Sequence, residues 1–298
     1  MRIFVTGSTG WIGSATVDEL LAAGHEVIGL TRSDAGEAAL REKGAEPLRA
    51  DLGDLHALRA AAAASDGVVH LGFNHDFGDP AGAARTERAV VETLGETLAG
   101  SGRRLLLASW MAGRGAGPVL TEADPSPFRT ADSLRGGSEA LALGFAARGV
   151  HAVALRFSPT VHGAGDHGFV AVLARIAREK GVAAYIGDGA NRWPAVHRSD
   201  VGRLNALAWE KAPAGAVVHA VAEEGIPTRE IAEAIGLALA LPARSIDPTD
   251  AAAHFGWLGG FFAADIPASS ARTRALLGWT PTGPTLAEDL ASGAYGRA

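Results

Sequence analysis

The chain of 298 residues contains no cysteine. This excludes disulfides, thiolate nucleophiles, zinc–thiolate sites and iron–sulfur clusters, and no metal site is expected. Tyrosine occurs only at Tyr185 and Tyr295, so tyrosine acid–base chemistry has two carriers at most. Lysine is scarce and arginine common. No apolar stretch free of charges, Gly and Pro reaches the roughly 18 residues that cross a bilayer. The first residues run straight into Ile3-Phe4-Val5 without a signal-like segment. A soluble, cytoplasmic protein without membrane contacts is the expectation. A net charge of −6 argues against broad binding to nucleic acid or anionic membranes, so any anion must be met by a local device. Hydrophobic residues at 47% and charged residues at 20% exclude a disordered chain.

Short apolar runs at 2–6, 26–30, 45–49, 67–71, 104–108 and 151–156 alternate with helical patterns at 12–23, 36–43, 55–63, 81–99 and 132–148. Such alternation predicts a parallel sheet covered on both faces, and right-handed crossovers give it the doubly wound order. After Pro159 the rhythm changes. Helices are predicted over 169–180, 200–210 and 228–239, and strands over 185–189 and 216–220. A loop-rich tail over 247–284 carries Phe255, Trp257, Phe261, Phe262 and Trp279. The expected organisation is α/β: a dinucleotide-type domain over 1–158 to which 190–222 returns, and a smaller C-terminal lobe from 159–189 and 223–298.

The strongest signal is Thr6-Gly7-Ser8-Thr9-Gly10-Trp11-Ile12-Gly13, which follows an apolar strand and opens a helix. Gly7 permits the tight turn, Gly10 lets a pyrophosphate approach the backbone, and Gly13 lets the helix pack on the strand. The helix N-terminus supplies N–H donors and a positive dipole end. The second strand of an NAD protein normally ends in an acid that binds the ribose. Here the segment reads Gly29-Leu30-Thr31-Arg32-Ser33, with Arg32 at the tip. A guanidinium attracts the 2′-phosphate, so NADP is the expected cofactor, while Asp34 leaves NAD open.

The Gly-x-x-Gly-x-x-Gly spacing resembles the extended or atypical short-chain dehydrogenase/reductase family, which contains NAD(P)-dependent epimerases and dehydratases. Further points match in order. They are Asp51-Leu52, His70-Leu71-Gly72, Arg156-Phe157-Ser158-Pro159 with Val161-His162-Gly163, Gly187-Asp188-Gly189, Val196-His197 to Asp200, and Leu277-Gly278-Trp279 with Pro281. The resemblance implies a Rossmann fold. It also implies cofactor contacts from Gly7, Thr9, Gly10, Trp11, Ile12, Gly13, Arg32, Asp51, Leu52, Leu71, Gly72, Phe73, Ser109, Arg135, Phe157, Ser158 and Pro159.

Members of that family use a Ser or Thr after the fifth strand and a Tyr-x-x-x-Lys on the next helix, the Tyr exchanging the proton of the carbonyl oxygen. Ser109 is the candidate serine, with a register one residue later, at Trp110, left open. Counting from Glu139 and Gly149-Val150 puts Arg135 at the lysine position and Ala131 at the tyrosine position. Arginine can bind ribose hydroxyls but does not titrate near neutral pH, so the acid must come from elsewhere. His75, His162, His167 and Asp166 lie on loops after strands, and His75 is the first choice because Asn74 and His75 directly follow the fourth strand. The catalytic candidates are therefore Ser109, Arg135 and His75, and the substrate candidates Asn74, His162, Arg192 and Trp257. The Phe255, Trp257, Phe261 and Phe262 cluster reads either as core or as the lining of an apolar pocket. His197 and Asp200 read as structural, the latter as a helix cap.

The function these residues imply is an NADP-dependent oxidoreductase of the short-chain type, acting on a small or medium, partly apolar carbonyl or alcohol. The alternatives are a nucleotide-sugar epimerase or dehydratase and a non-catalytic NADP-binding sensor or regulator. The partner expected is a small-molecule substrate. A homodimer through the Ala-rich patterns at 81–99 and 132–148 is a further expectation.

Overall fold

The computed structural model describes residues 1–75, 78–111 and 117–295. The first half is β1 (Arg2–Thr6), α1 (Trp11–Ala22), β2 (Glu26–Thr31), α2 (Asp34–Lys43), β3 (Glu46–Arg49), α3 (Leu55–Ala63), β4 (Gly67–His70), α4 (Pro80–Leu98) and β5 (Arg104–Trp110). A 3₁₀ turn at Leu134–Gly137 leads into α5 (Ser138–Gly144), a second such turn at Phe145–Arg148, β6 (His151–Phe157) and β7 (Thr160–His162). Then come α6 (Phe169–Lys180), β8 (Ala183–Ile186), β9 (Arg192–His197), α7 (Arg198–Lys211), β10 (Val217–Ala220) and β11 (Glu223–Pro227). The chain ends with α8 (Thr228–Leu239), β12 (Ala243–Ile246), α9 (Ala251–Phe255), α10 (Gly259–Phe262), α11 (Ala271–Leu277) and α12 (Leu286–Ala291).

Seven strands form one sheet in the order β10-β6-β5-β4-β1-β2-β3, and each neighbouring pair is parallel. Side chains alternate between the two faces of a strand, and here both faces are apolar. Ile3, Val5, Val69, Leu106 and Val153 pack on one side with Val17 and Leu20 of α1 and Val201, Leu204 and Trp209 of α7. Phe4, Ile28, Val68, Leu105 and Leu107 pack on the other with Leu58 of α3 and Val90, Val91 and Leu94 of α4. The apolar runs of the strands are thus the inside of an α/β/α sandwich, the expected fold class. The strand order reverses between β1 and β4, and the crevice outside the strand C-termini at such a point is where ligands bind in this architecture. A separate core joins α6, β8, α8, α9, α10 and α12. It is flanked by the small sheets β11-β9-β7 and β12-β8. Return to the large sheet after Pro159 is made by α7 and β10, while β9 stays in the small sheet. No helix of the described residues is long and apolar enough to cross a membrane.

The clearest departure from the sequence reading is the long helix expected over 132–148. Arg135, Gly136 and Gly137 have φ of 56, 59 and 64°, three successive left-handed residues. L-residues avoid this region because Cβ crowds the carbonyl, so two glycines and one tolerated arginine make the reversal. A Cβ on Gly136 would lie 2.6 Å from the Ala84 carbonyl oxygen. Beyond the break α5 and the 3₁₀ turn Phe145–Arg148 complete the segment, so the single uninterrupted helix expected over 132–148 is not formed. The tail read as loop-rich also contains three short helices, α9 to α11.

Candidate active site

The site begins where β1 passes into α1. Gly7 takes φ +65°, and the Gly10 N–H donates to the Gly7 carbonyl at 2.9 Å. A Cβ on Gly13 would lie 1.9 Å from the Gly7 oxygen, and one on Gly7 would lie 2.7 Å from the Gly72 nitrogen. Any side chain at these positions would fill the turn. Gly10 caps α1 in extended conformation without a side-chain hydrogen bond, so the first N–H groups of the helix have no side-chain partner. The residues present therefore fit a pyrophosphate. The buried Ser8 hydroxyl donates to the Leu30 carbonyl at 2.8 Å and ties the turn to β2. Thr9 is exposed and Ile12 half-buried beside it. The Trp11 indole N–H donates to the Val161 carbonyl at 2.8 Å, and the Arg198 guanidinium covers its ring at 4.5 Å.

At the tip of β2, Arg32 is exposed and makes no ion pair among the described residues. Asp34, the acid that left NAD open, lies next to Arg49, which also reaches Glu37 at 3.2 Å. The hydrogen bond from Arg49 holds the Asp34 carboxyl below its usual range. Asp51 accepts the Gly53 N–H at 2.6 Å, and Leu52 packs toward Gly72. Leu71 and Phe73 are half-buried at the β4 tip. Phe157 and Ser158 are buried at the β6 tip ahead of Pro159, with the Ser158 hydroxyl on the Ala220 carbonyl at 2.7 Å.

Beneath the crevice runs a buried hydrogen-bonded chain. The Gly72 N–H donates to Thr6 Oγ1 at 3.0 Å, and Thr6 Oγ1 lies 2.6 Å from His70 Nδ1. His70 Nε2 lies 3.2 Å from one oxygen of Glu87, and Arg135 Nη2 donates to the other at 3.2 Å. A carboxylate only accepts, so Nε2 of the imidazole carries a proton. Burial pushes the Glu87 carboxyl up, but the charge of Arg135 and the bonds from His70 and Arg135 outweigh it and leave the pKa below the usual range. Glu87 is 1% exposed, and His70 and Arg135 hold its carboxyl on the buried face of α4. Arg135 also stacks over the Phe73 ring at 4.2 Å, a cation–π contact, and its Nε is buried without a partner among the described residues.

His75 meets Phe73 edge-on at 5.1 Å. Desolvation, then the charge of Arg135, push its imidazole pKa below the ordinary value, against the opposing pull of Glu87. Asn74 and His75 stand at the β4 tip with part of their surface exposed, the imidazole being only partly enclosed by its neighbours. The Ser109 hydroxyl donates to Glu139 Oε2 at 2.6 Å. The same carboxylate receives Arg156 through Nε at 3.0 Å and Nη2 at 2.6 Å. Ser109 therefore spends its proton on a buried ion pair and presents only lone pairs elsewhere.

The chain thus gathers Phe73, His75 and Arg135 at the β4 tip, next to the Gly7–Gly13 turn. The other candidates stand apart. His162 is fully buried on β7, its Nδ1 2.5 Å from Asp289, so it is enclosed by the small sheet and α12. Arg192 is matched on Asp265, with Nε at 3.1 Å and Nη2 at 2.9 Å. Trp257 is 47% exposed. Asp166 accepts the Tyr295 hydroxyl at 2.8 Å, and His167 meets the Trp11 ring at 5.6 Å. Tyr185 lies on β8, within the small sheet β12-β8.

The family model "NAD dependent epimerase/dehydratase family" matches residues 3–222. The chain belongs to the NAD-dependent epimerase/dehydratase family. An uncharacterized protein of Schizosaccharomyces pombe is 48% identical over 99% of this chain and 100% of its own length. Another, of Saccharomyces cerevisiae, is 42% identical over 97% and 98%. A 2-alkyl-3-oxoalkanoate reductase of Stenotrophomonas maltophilia is 27% identical over 81% and 77%. Among solved structures, the dTDP-glucose 4,6-dehydratase DesIV of Streptomyces venezuelae, with NAD bound, superposes with a TM-score of 0.79. Its identity is 22%, over 99% of this chain and 96% of that one. That likeness shows the fold.

Within this epimerase/dehydratase chain, sequence reasoning missed Glu87. A signal was present: Ala83, Glu87, Val90, Val91 and Leu94 share the buried stripe of α4, and a lone acid on such a stripe requires a cationic partner. Trp110 was weighed only as a rival register for Ser109, although its ring stacks on Phe128 at 5.6 Å.

Proposed function

We propose that the protein is an NADP-dependent oxidoreductase that interconverts a small or medium, partly apolar carbonyl compound and its alcohol. The observation that carries this reading is Arg135, a fixed cation held between Glu87 and Phe73 at the β4 tip with one donor unmatched. Glu87 balances its charge, and the unmatched Nε–H is the donor left for an oxygen that turns negative as a carbonyl is reduced. When bound on the Gly7–Gly13 turn, a reduced dinucleotide would supply the hydride. His75, beside the same ring, gives the proton that the family's tyrosine would give. Ser109, committed to Glu139, serves as a fixed acceptor rather than a donor. NADP is favoured over NAD by the unpaired Arg32 and by the engagement of Asp34 with Arg49. A relative whose name is that of an oxoalkanoate reductase adds support for a carbonyl substrate. Asn74 borders this site, and the smaller lobe expected over 159–189 and 223–298 is read as its substrate side.

The test is NADPH oxidation with a panel of aldehydes and ketones, read by nicotinamide absorbance, in wild type and Arg135→Ala. Turnover by the former and its loss in the latter is the expected result. Cofactor binding without turnover on any carbonyl, alcohol or sugar nucleotide would leave the sensor reading in its place. The epimerase or dehydratase reading draws on the nucleotide-sugar enzymes among the structural neighbours. Against it stands Arg192, whose charge is already matched by Asp265.

A further inference from the structure

Successive residues of a strand point to opposite faces. At the end of β5, Ser109 turns to Glu139, while Trp110 meets a series of rings. Trp110 stacks on Phe128 at 5.6 Å with 13° between planes, and lies 6.0 Å from Phe261. Phe261 lies 6.1 Å from Phe169 and 6.2 Å from Trp257, and Phe169 lies 5.9 Å from Trp257. The rings come from β5, the segment after it, α6, α10 and the turn between α9 and α10. They form one wall that starts beside the candidate serine. The tail aromatics therefore divide. Phe255 and Phe262 are core, whereas Trp257 and Phe261 are 47% and 37% exposed. These two are the aromatic members of the exposed large hydrophobic set among the described residues. Contiguous exposed rings continuous with a polar site are the signature of a ligand groove.

The charges beside the wall define what it accepts. Arg156 lines the space behind Trp110 with Asp124 and His219, and its guanidinium is shared among Glu139, the Asp124 carbonyl and His219. Arg192 is matched by Asp265 and also donates to the Gly117 carbonyl. Among the described residues that line this space, both guanidinium groups are already engaged. We propose that the Trp110–Phe261–Trp257 wall is the subsite for the non-reacting end of the substrate, and that the substrate class is a planar aryl or conjugated aldehyde or ketone without phosphate. This rests on the oxidoreductase reading above. In the reduction the carbonyl carbon gains a hydride and the oxygen a proton, with the reduced dinucleotide as reductant and the alcohol as product.

The test uses the full chain saturated with NADP⁺. Titration with 2-naphthylmethanol is followed by calorimetry, with 1-hexanol and UDP-glucose as comparison ligands. The aryl alcohol is expected to bind about tenfold more tightly than hexanol, the equivalent of one well-placed ring contact. Phe261→Leu and Trp257→Leu should each remove most of that preference while NADP⁺ affinity and melting temperature stay unchanged. An aryl preference indifferent to both substitutions, or tighter binding of UDP-glucose, would overturn the proposal. In parallel, 2-naphthaldehyde and hexanal are offered with NADPH. Ring-dependent binding without reduction of either aldehyde would sink the oxidoreductase reading and leave the subsite standing. Reduction of both at equal kcat/KM would sink the subsite alone.

Discussion

Arg135 reaches Glu87 from a left-handed backbone, φ 56°, to place one guanidinium nitrogen 3.2 Å from a carboxylate that is 1% exposed. The contact joins an unfavourable backbone to an unfavourable burial. A left-handed non-glycine residue costs roughly 1–2 kcal/mol, and an isolated buried carboxylate costs far more. Each is tolerated because the other element meets it, and the result is a cation that does not wander.

Removing one member of such a pair strands the other. Glu87→Ala is expected to destabilise the protein by about 3–5 kcal/mol, read from urea unfolding. The acid dependence has a definite sign. The Glu87 pKa is lower folded than unfolded, so the unfolded chain takes up its proton first as the medium is acidified. The stability it contributes is complete above the ordinary carboxylate range and is lost as pH falls through the folded value. Melting temperature below about pH 4.5 should therefore fall more steeply in wild type than in Glu87→Gln. Equal slopes would mean that Glu87 is not ionised in the native protein.

Gly136 tests the left-handed turn that aims Arg135. A Cβ there meets the Ala84 carbonyl oxygen at 2.6 Å and stands at φ +59°. Gly136→Ala should cost about 2–4 kcal/mol from strain and overpacking together, measured by thermal or urea unfolding. A loss below about 0.5 kcal/mol would show that the turn relaxes freely.

The cradle is tested at Gly13, where a Cβ would lie 1.9 Å from the Gly7 oxygen. Gly13→Ala is expected to abolish dinucleotide binding in calorimetry while the circular dichroism spectrum keeps its α/β shape. Unchanged affinity would place the dinucleotide elsewhere.

Arg32→Ala should weaken NADPH about 10- to 150-fold more than NADH, the loss of one charge-assisted contact of about 1.5–3 kcal/mol. Parallel losses for the two cofactors would remove Arg32 from the 2′-phosphate.

The proposed role of His75 as proton donor sets a pH profile. A donor must be the imidazolium, so kcat/KM for the carbonyl should fall as pH rises through a value below the ordinary imidazole pKa of about 6.5. Alcohol oxidation needs the neutral ring and should rise over the same interval. His75→Asn should flatten both limbs; a profile that keeps them belongs to another group.

Much of this was legible because the signals were local. The glycine turn announces itself by spacing after an apolar strand. The helices Phe169–Lys180 and Thr228–Leu239 coincide with their predicted limits because their apolar stripes stop at a left-handed terminus, Gly181 and Ala240 respectively. What failed was non-local. Gly136-Gly137 reads as two weak positions inside a helix until Ala84, about fifty residues earlier, shows that no side chain fits. Ser109 looks like a free hydroxyl until Glu139, held in place by Arg156 from another element, accepts its proton. His162 sits in a segment that resembles a ligand loop, yet pairing of β7 with β9 and the approach of Asp289 bury it. Each of these outcomes depends on a partner at least 17 residues away in the chain.

The guanidinium at position 135 carries one more implication, for the protein's own chemical durability. A free amine in contact with an aldehyde condenses to an imine, and an arginine that stays protonated does not. The chain's three lysines lie elsewhere: Lys43 on Asp18, Lys180 at the end of α6, and Lys211 on the Leu277 carbonyl. With no cysteine to be alkylated either, the crevice offers an electrophilic guest no lysine amine and no thiol to trap. Borohydride added to the protein and an aldehyde should fix no adduct there, and the site should outlast exposure to carbonyl compounds that inactivate lysine-dependent enzymes.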